Sequence, residues 1–261
     1  MKKFYVVGNR VSKSLSPTIF NYWFRKYKIK ASYEYLELNE KNFDLKIREK
    51  LADKKVVGMN ITIPFKKKII KHVKTMDKHA NKIGAVNCLK NGKIIKGINT
   101  DWDGYYRTLP TRKEILNKKI LLIGYGGAAL AIHYVLNMMG FKHITILNRS
   151  KKKLSFIKKT KYTKSTNLLS NYLKSAEIII NTTPKNPIKK TNKKLISQNV
   201  ILSDIVYSPK ETAFLKQFPK NKKIYGISML LEQAASSFKF WFGYRPKINT
   251  ELIRILDKKI K

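Results

Sequence analysis

The sequence predicts an α/β protein of two domains, and three observations carry that prediction. Short apolar runs of strand character alternate with helix-spaced segments along the whole chain. Its 261 residues, 43% of them apolar, suffice for two cores of ordinary size. A short apolar run at 120–123 leads through a glycine turn into an apolar-periodic helix, opening a second unit in mid-chain.

In order, residues 4–8 read as a first strand, and residues 16–27 have helical spacing with Pro17 suited to the first turn. Residues 33–38 and 56–61 are further strands, separated by an amphipathic stretch over 42–51. Residues 64–73 predict a helix opened by Pro64. Asn91-Gly92, between apolar runs at 86–89 and 93–98, predicts a tight hairpin. The second unit holds strands at 120–123, 144–147, 178–180, 200–202 and 225–227, with a helix over 128–139, and the alternation along the whole chain predicts parallel sheets in both units. Helical patterns at 229–242 and 250–261 close the chain. The boundary falls near 101–104, and the last helices are expected to return over the first domain.

Composition narrows the class. Against 56 basic residues stand 16 acidic ones, a formal charge of +40, and 48 of the basic residues are lysines. A nucleic-acid interface draws on arginine and gathers charge on one face or tail. Here lysine is scattered from 66–68 to 258–261, in a chain also rich in Ile, Asn, Tyr and Phe. Compositional drift on solvated faces accounts for this, so no specific nucleic-acid partner is expected, although phosphorylated ligands should be attracted. No run of 18 apolar residues predicts a membrane span, and the apolar start is too short for a secretory signal. Cys88 is the only cysteine, which excludes an internal disulfide and fits a cytoplasmic setting. His72, His79, His133 and His143 suggest no shared ligand geometry, so no metal is expected.

Two constellations carry chemistry. Gly124, Gly126 and Ala129 form a G-x-G-x-x-A turn between strand and helix, as at a Rossmann-like dinucleotide site, where helix amides meet a pyrophosphate. The next strand ends in Asn148, Arg149 and Ser150, where NAD sites commonly carry an acid. Arg149, followed by Lys151, Lys152 and Lys153, instead suits a 2′-phosphate and therefore NADP. The other constellation is Lys66, set in Asn60-x-Thr62-x-Pro64-x-Lys66, with Asp101 closing Asn99-Thr100-Asp101. A lysine and a carboxylate beside a hydride carrier point to a dehydrogenase acting on a polar alcohol or ketone.

With these motifs the chain resembles shikimate dehydrogenase, nearly from end to end. The resemblance includes Ser14-Leu15-Ser16-Pro17 near the start, residues 83–87 ending in Asn87, and a long signature from Gly226 through Met229, Gln233 and Trp241 to Gly243. It implies a substrate-binding domain of residues 1–101 completed by 228–261, an NADP-binding domain of 102–227, and an active site in the cleft between them. By resemblance, Ser14 and Ser16 bind the substrate carboxylate; Asn60, Thr62, Asn87, Tyr207 and Gln233 hold the ring; and Lys66 and Asp101 are catalytic. Gly124, Tyr125, Gly126, Gly127 and Ala128 would form the pyrophosphate loop, and Asn148, Arg149, Ser150 and Lys151 to Lys153 the 2′-phosphate clamp. Ile205, in the loop that carries Tyr207, would bind the cofactor, and Gly226 would approach the nicotinamide. The implied reaction is reversible NADPH-dependent reduction of 3-dehydroshikimate to shikimate. A quinate/shikimate dehydrogenase using NAD and a lysine-rich nucleic-acid-binding Rossmann protein are the alternatives, and a homodimer is left open.

Overall fold

The structure, a computed structural model, describes residues 1–148, 161–163, 169–188 and 190–260. Residues 149–153, the expected 2′-phosphate clamp beyond Asn148, lie outside the described residues. The chain runs β1 (Lys2–Gly8), α1 (Ser16–Lys26), β2 (Ala31–Glu37), α2 (Phe43–Ala52) and β3 (Val56–Ile61). It continues through a 3-10 turn (Lys68–His72), β4 (Thr75–Met76), α3 (Lys78–Ile83), β5 (Cys88–Lys90) and β6 (Lys96–Ile98). Then come α4 (Asp101–Tyr106), α5 (Arg112–Ile115), β7 (Ile120–Ile123), α6 (Gly127–Met138), β8 (Ile144–Leu147) and β9 (Lys161–Thr163). The last elements are α7 (Leu169–Ser175), β10 (Ile178–Asn181), β11 (Ile201–Asp204), α8 (Ala213–Lys216), β12 (Lys223–Tyr225), α9 (Gly226–Phe242) and α10 (Thr250–Asp257).

Contacts divide the chain into one unit of Met1–Asp101 with Gln233–Lys259, and another of Trp102–Glu232 with Ile260–Lys261. In the first, the described strands run β2-β1-β3-β5-β6-β4. β1 pairs in parallel with β2 and β3, whereas β5 is antiparallel to both β3 and β6, so this sheet is mixed rather than parallel. Phe20, Trp23 and Phe24 of α1 pack with Phe4, Phe238 and Trp241, all at most 4% exposed. Each such burial contributes roughly 1.5–3 kcal/mol. The Trp241 indole donates to the Leu89 carbonyl at 2.9 Å and occupies the space where a Cβ on Gly58 would stand. In the second unit every described strand pairing is parallel, in the order β12-β11-β10-β7-β8-β9. Strand order reverses between β7 and β10, the doubly wound arrangement in which ligands bind beyond the strand ends at the reversal.

Four local expectations are corrected. Residues 64–73 form no α-helix: the Lys66 carbonyl, which would accept from Ile70, accepts from the Val86 amide at 2.8 Å. Ile70 turns to the Lys67 carbonyl instead, giving the tighter 3-10 form. The Asn91-Gly92 hairpin is real but not tight. β5 and β6 pair Lys90 with Lys96, leaving a five-residue connection, and Gly92 lacks the positive φ that a two-residue type I′ turn needs. Asn91 is held away, its side chain donating to the Leu51 and Val56 carbonyls at 2.9 Å. The strand expected over 225–227 ends at Tyr225, because Gly226 already begins α9. The final helix stops at Asp257, where the Lys259 amide bonds the Leu256 carbonyl and the chain turns to bury Ile260. Among the described residues, no helix is long and apolar enough to cross a membrane, and no group of three or more His, Cys, Asp and Glu could hold a metal ion.

Candidate active site

Two chain reversals in the first unit bring the ionisable pair together. Beyond β3 the backbone turns through Thr62 and Pro64 to Lys66, and beyond β6 it delivers Asn99, Thr100 and Asp101. Lys66 Nζ lies 2.6 Å from Asp101 Oδ2, with the two side chains 11% and 8% exposed. A buried ion pair is tolerated only when its remaining polar atoms are bonded. Asp101 Oδ1 accepts from Asn87 Nδ2 at 2.8 Å, and the Asp101 amide donates to Asn99 Oδ1 at 3.0 Å. Asn99 in turn donates to the Ala85 carbonyl at 2.9 Å. The carboxylate is therefore held at both oxygens and from its own backbone.

The bonding continues inward from Asn87. Its Nδ2 also donates to Thr100 Oγ1 at 3.0 Å, and its Oδ1 accepts from the Thr100 amide at 2.6 Å. Thr100 Oγ1 lies 3.3 Å from Gln233 Oε1 and 3.1 Å from Ser237 Oγ, both carried on α9. Asn60 Nδ2 donates to Ser237 Oγ at 2.8 Å and to the Asn87 carbonyl at 3.2 Å, while Asn60 Oδ1 accepts from the Tyr33 hydroxyl at 2.9 Å. The Ser14 and Ser16 hydroxyls lie 3.2 Å apart. One hydrogen-bonded chain thus runs from Tyr33 to Lys66, and Ser14 and Ser16 form a hydroxyl pair of their own. An amide nitrogen carries two protons, so Asn60 and Asn87 spend both within the protein. Any contact from either to a ring hydroxyl would have to be made through its carbonyl oxygen.

Burial first, and the Cys88 thiol beside it, hold the Tyr33 phenol well above its ordinary value, while Ser16 acts in the opposite direction, so the phenol remains a donor. Phe20 stacks on its ring at 4.4 Å. Burial likewise pushes the Cys88 thiol up, making it a packed and unreactive group. Thr62 is half-buried, and its methyl sits where a Cβ on Gly8 would be, 2.6 Å away.

In the second unit the glycine turn follows β7. Gly124 has φ +91°, and a Cβ there would meet Thr182 Oγ1 at 2.6 Å, so conformation and packing both demand glycine. Gly126 differs. Its φ is −88° and an added Cβ would meet nothing within 4 Å, so neither conformation nor packing requires glycine. It caps α6 without a side-chain hydrogen bond, and no acid stands in the first turn with Gly127 and Ala128. Such an open helix start fits a phosphate group. Tyr125 points inward, its hydroxyl 2.8 Å from Nδ1 of the fully buried His133, and burial lowers that imidazole to about 4. Asn148 is half-buried after β8.

Across this sheet, Asp204 ends β11 in the interior. Its carboxylate accepts from the Thr212 hydroxyl at 2.7 Å, the Val206 amide at 3.0 Å and Asn181 Nδ2 at 3.2 Å, bracing the loop with half-buried Ile205 and Tyr207. Burial raises its carboxyl, against these three bonds. Gly226 lies under that loop, where a Cβ would come within 2.5 Å of the Ile205 and Val206 carbonyl oxygens.

Comparison with known proteins gives these sites a family. A sequence profile for the shikimate dehydrogenase substrate binding domain matches residues 6–89, and one for shikimate / quinate 5-dehydrogenase matches residues 109–206. A shikimate dehydrogenase (NADP(+)) of Staphylococcus aureus is 36% identical over 270 residues, covering 98% of each chain. The chain belongs to the shikimate dehydrogenase family. Its fold agrees with that of shikimate dehydrogenase from Aquifex aeolicus, with a TM-score of 0.86 at 30% identity over 98% of this chain and 97% of the other. The shikimate 5-dehydrogenase of Listeria monocytogenes, solved with shikimate and NAD, gives a TM-score of 0.79 at 25% identity over 98% and 96% of the two chains.

Of the residues that the family resemblance singled out, Asn60, Lys66, Asn87, Asp101 and Gln233 meet in the first unit's polar chain, and Ser14 and Ser16 pair with each other in the same unit. Tyr207, Ile205 and Gly226 meet in the second unit, around the Asp204 loop. Tyr33, Thr100 and Ser237 received no role from the sequence. Ser237 had a findable signal, since it follows Gln233 by four residues and so shares its helix face. Tyr33 had none: a tyrosine on the inward face of a strand reads as core.

Proposed function

We propose that this shikimate dehydrogenase family member catalyses the reversible NADPH-dependent reduction of 3-dehydroshikimate to shikimate, on the route to chorismate and the aromatic amino acids. The observation that carries this reading is the buried Lys66–Asp101 pair, 2.6 Å apart at the end of a hydrogen-bonded chain that begins at Tyr33 and Asn60. Bound NADPH supplies the hydride that reduces the ketone carbon. Lys66 Nζ donates the proton to the oxygen on which negative charge develops, and takes it back in the oxidative direction. Asp101 orients the ammonium and stabilises its charge, with Asn87 holding the second carboxylate oxygen. Ser14 and Ser16 offer hydroxyls to the substrate carboxylate, while Thr62, Gln233 and Tyr207 offer polar groups to the ring. Leaving a ring hydroxyl unpaired would cost ~1–3 kcal/mol, and this penalty discriminates against analogues.

The open N-terminus of α6 at Gly126 supports a pyrophosphate there, and Arg149 with Lys151 to Lys153 supplies charge for the 2′-phosphate of NADP. We assign the enzyme to the cytoplasm, where Cys88 stays reduced, and take a homodimer as the assembly that light scattering should test. Initial rates of shikimate oxidation with NADP⁺, against NAD⁺ and quinate, test the reaction. The highest kcat/KM is expected for shikimate with NADP⁺. No turnover of that pair rejects the reading, and preference for NAD⁺ with quinate accepted would replace it by the broader quinate/shikimate activity.

A further inference from the structure

Resting on the reaction just assigned, we propose that Ser237 is a positioning residue whose hydroxyl sets the orientation of the Lys66–Asp101 pair. Ser237 is fully buried on α9, and its Oγ meets groups from three places in the first unit. It donates to the Gln233 carbonyl at 3.1 Å, accepts from Asn60 Nδ2 at 2.8 Å, and lies 3.1 Å from Thr100 Oγ1. A hydroxyl has one proton and two lone pairs. With its proton committed to Gln233, Ser237 accepts from both Asn60 and Thr100 and is saturated.

That arrangement propagates. A Thr100 hydroxyl that donates to Ser237 turns its lone pairs to Asn87 Nδ2, 3.0 Å away. The other Asn87 amide proton then goes to Asp101 Oδ1 at 2.8 Å, and Asp101 Oδ2 receives Lys66 at 2.6 Å. Asn60 is fixed at the same time, because Tyr33 donates to its oxygen while Ser237 and the Asn87 carbonyl take its two protons. Replacing Ser237 with alanine removes a single oxygen, leaves an Asn60 proton without its acceptor, and leaves the Thr100 hydroxyl only the more distant Gln233 Oε1 at 3.3 Å and Asn87 Oδ1 at 3.2 Å. Thr100 can then turn to Asn87 Oδ1, 3.2 Å away, and disturb the amide that holds Asp101. Ser237 itself bonds neither ionised group, so its effect passes through Thr100 and Asn87.

Ser237→Ala, assayed for shikimate oxidation with NADP⁺, tests this. The expected result is a fall in kcat of about tenfold, as small misplacements of reacting groups produce, with KM changed much less. The pH profile of kcat should shift, because the environment of the pair has changed, and the Asp101→Asn background should abolish the effect. Ser236→Ala is the control: Ser236 accepts from Arg245 at 2.7 Å and is not in the chain from Ser237 to Lys66, so kcat should be unchanged. If Ser237→Ala does not fold, Thr100→Val breaks the next link and should give the same kcat loss and profile shift. An unshifted profile with normal kcat, or an equal loss with and without Asp101→Asn, overturns the proposal while leaving the assigned reaction standing. An inactive wild-type enzyme overturns both.

Discussion

Lys66 is distinguished by its partners. Of 48 lysines in the chain it is one whose ammonium is buried, and a carboxylate held by Asn87 and, through its own amide, by Asn99 receives it. A group that acts in proton transfer should affect turnover more than binding. Lys66→Ala is expected to lower kcat by ~10²–10⁴-fold with a modest change in KM. Asp101→Asn should lower kcat as well, and the double variant should be no worse than the more severe single, since the two act as a unit. Steady-state kinetics of the three variants check this, and near-normal kcat in Lys66→Ala would remove the assignment. The roles of Asn60 and Asn87 narrow at the same scale, because both spend their amide protons on the protein.

Among the elements, the turn between β7 and α6 separates glycine as a structural need from glycine as a ligand's need. Gly124→Ala should destabilise the fold by about 1–3 kcal/mol through its positive φ alone, with the Thr182 overlap adding to it. Gly126→Ala should leave the melting temperature nearly unchanged, because its backbone is ordinary and its Cβ would stand in open space. It should nonetheless weaken NADP⁺, measured by titration calorimetry, by placing a methyl where the pyrophosphate is expected; unchanged affinity would remove the phosphate from that helix start. Within α6, His133 makes stability depend on pH. Its imidazole falls from 6.5 in the unfolded chain to about 4 when folded. Above pH 6.5 neither state holds the proton. Between 6.5 and 4 the unfolded chain binds it while the folded one does not, so stability is lost as pH falls through that window. The loss approaches roughly 3 kcal/mol. His133→Leu should flatten that part of a melting-temperature profile, whatever it does to absolute stability, and an unaltered slope would show that other groups govern the acid limb.

For the molecule as a whole, the charge of +40 acts over distance. NADPH and dehydroshikimate are both anionic, so a basic field should raise their encounter rates. Salt screens that field over roughly 8–10 Å near physiological strength. The expected outcome is a kcat/KM that falls with added salt while kcat stays nearly constant, read from kinetics across an ionic-strength series. A labelled oligonucleotide should bind weakly and be released steeply as salt rises, the behaviour of counterion release. Tight, selective binding retained at physiological salt would show a built nucleic-acid interface instead.

Much of this molecule is written in short-range pattern. The strands at 56–61, 120–123 and 144–147 appear at the residues where their apolar runs stand, because a buried strand needs little beyond a continuous apolar stretch. Lys66, Asp101 and the glycine turn were visible as candidates because their residue types are unusual in their settings. What they do to one another was not, since Lys66 and Asp101 stand 35 residues apart and Asn60 and Ser237 stand 177 apart. Only the folded chain decides which polar group reaches which partner. The same competition broke the helix expected after Pro64, where the Val86 amide claims the Lys66 carbonyl, and widened the hairpin at Asn91, whose side chain bonds two other carbonyls. Local propensity is set by neighbours in sequence, whereas a backbone carbonyl or a buried hydroxyl bonds the donor that packing delivers. Tertiary structure therefore decided the turns, the hydrogen-bonded interior and short strands such as β4 and β9, while apolar pattern alone determined the buried strands and marked the residues with chemistry to offer.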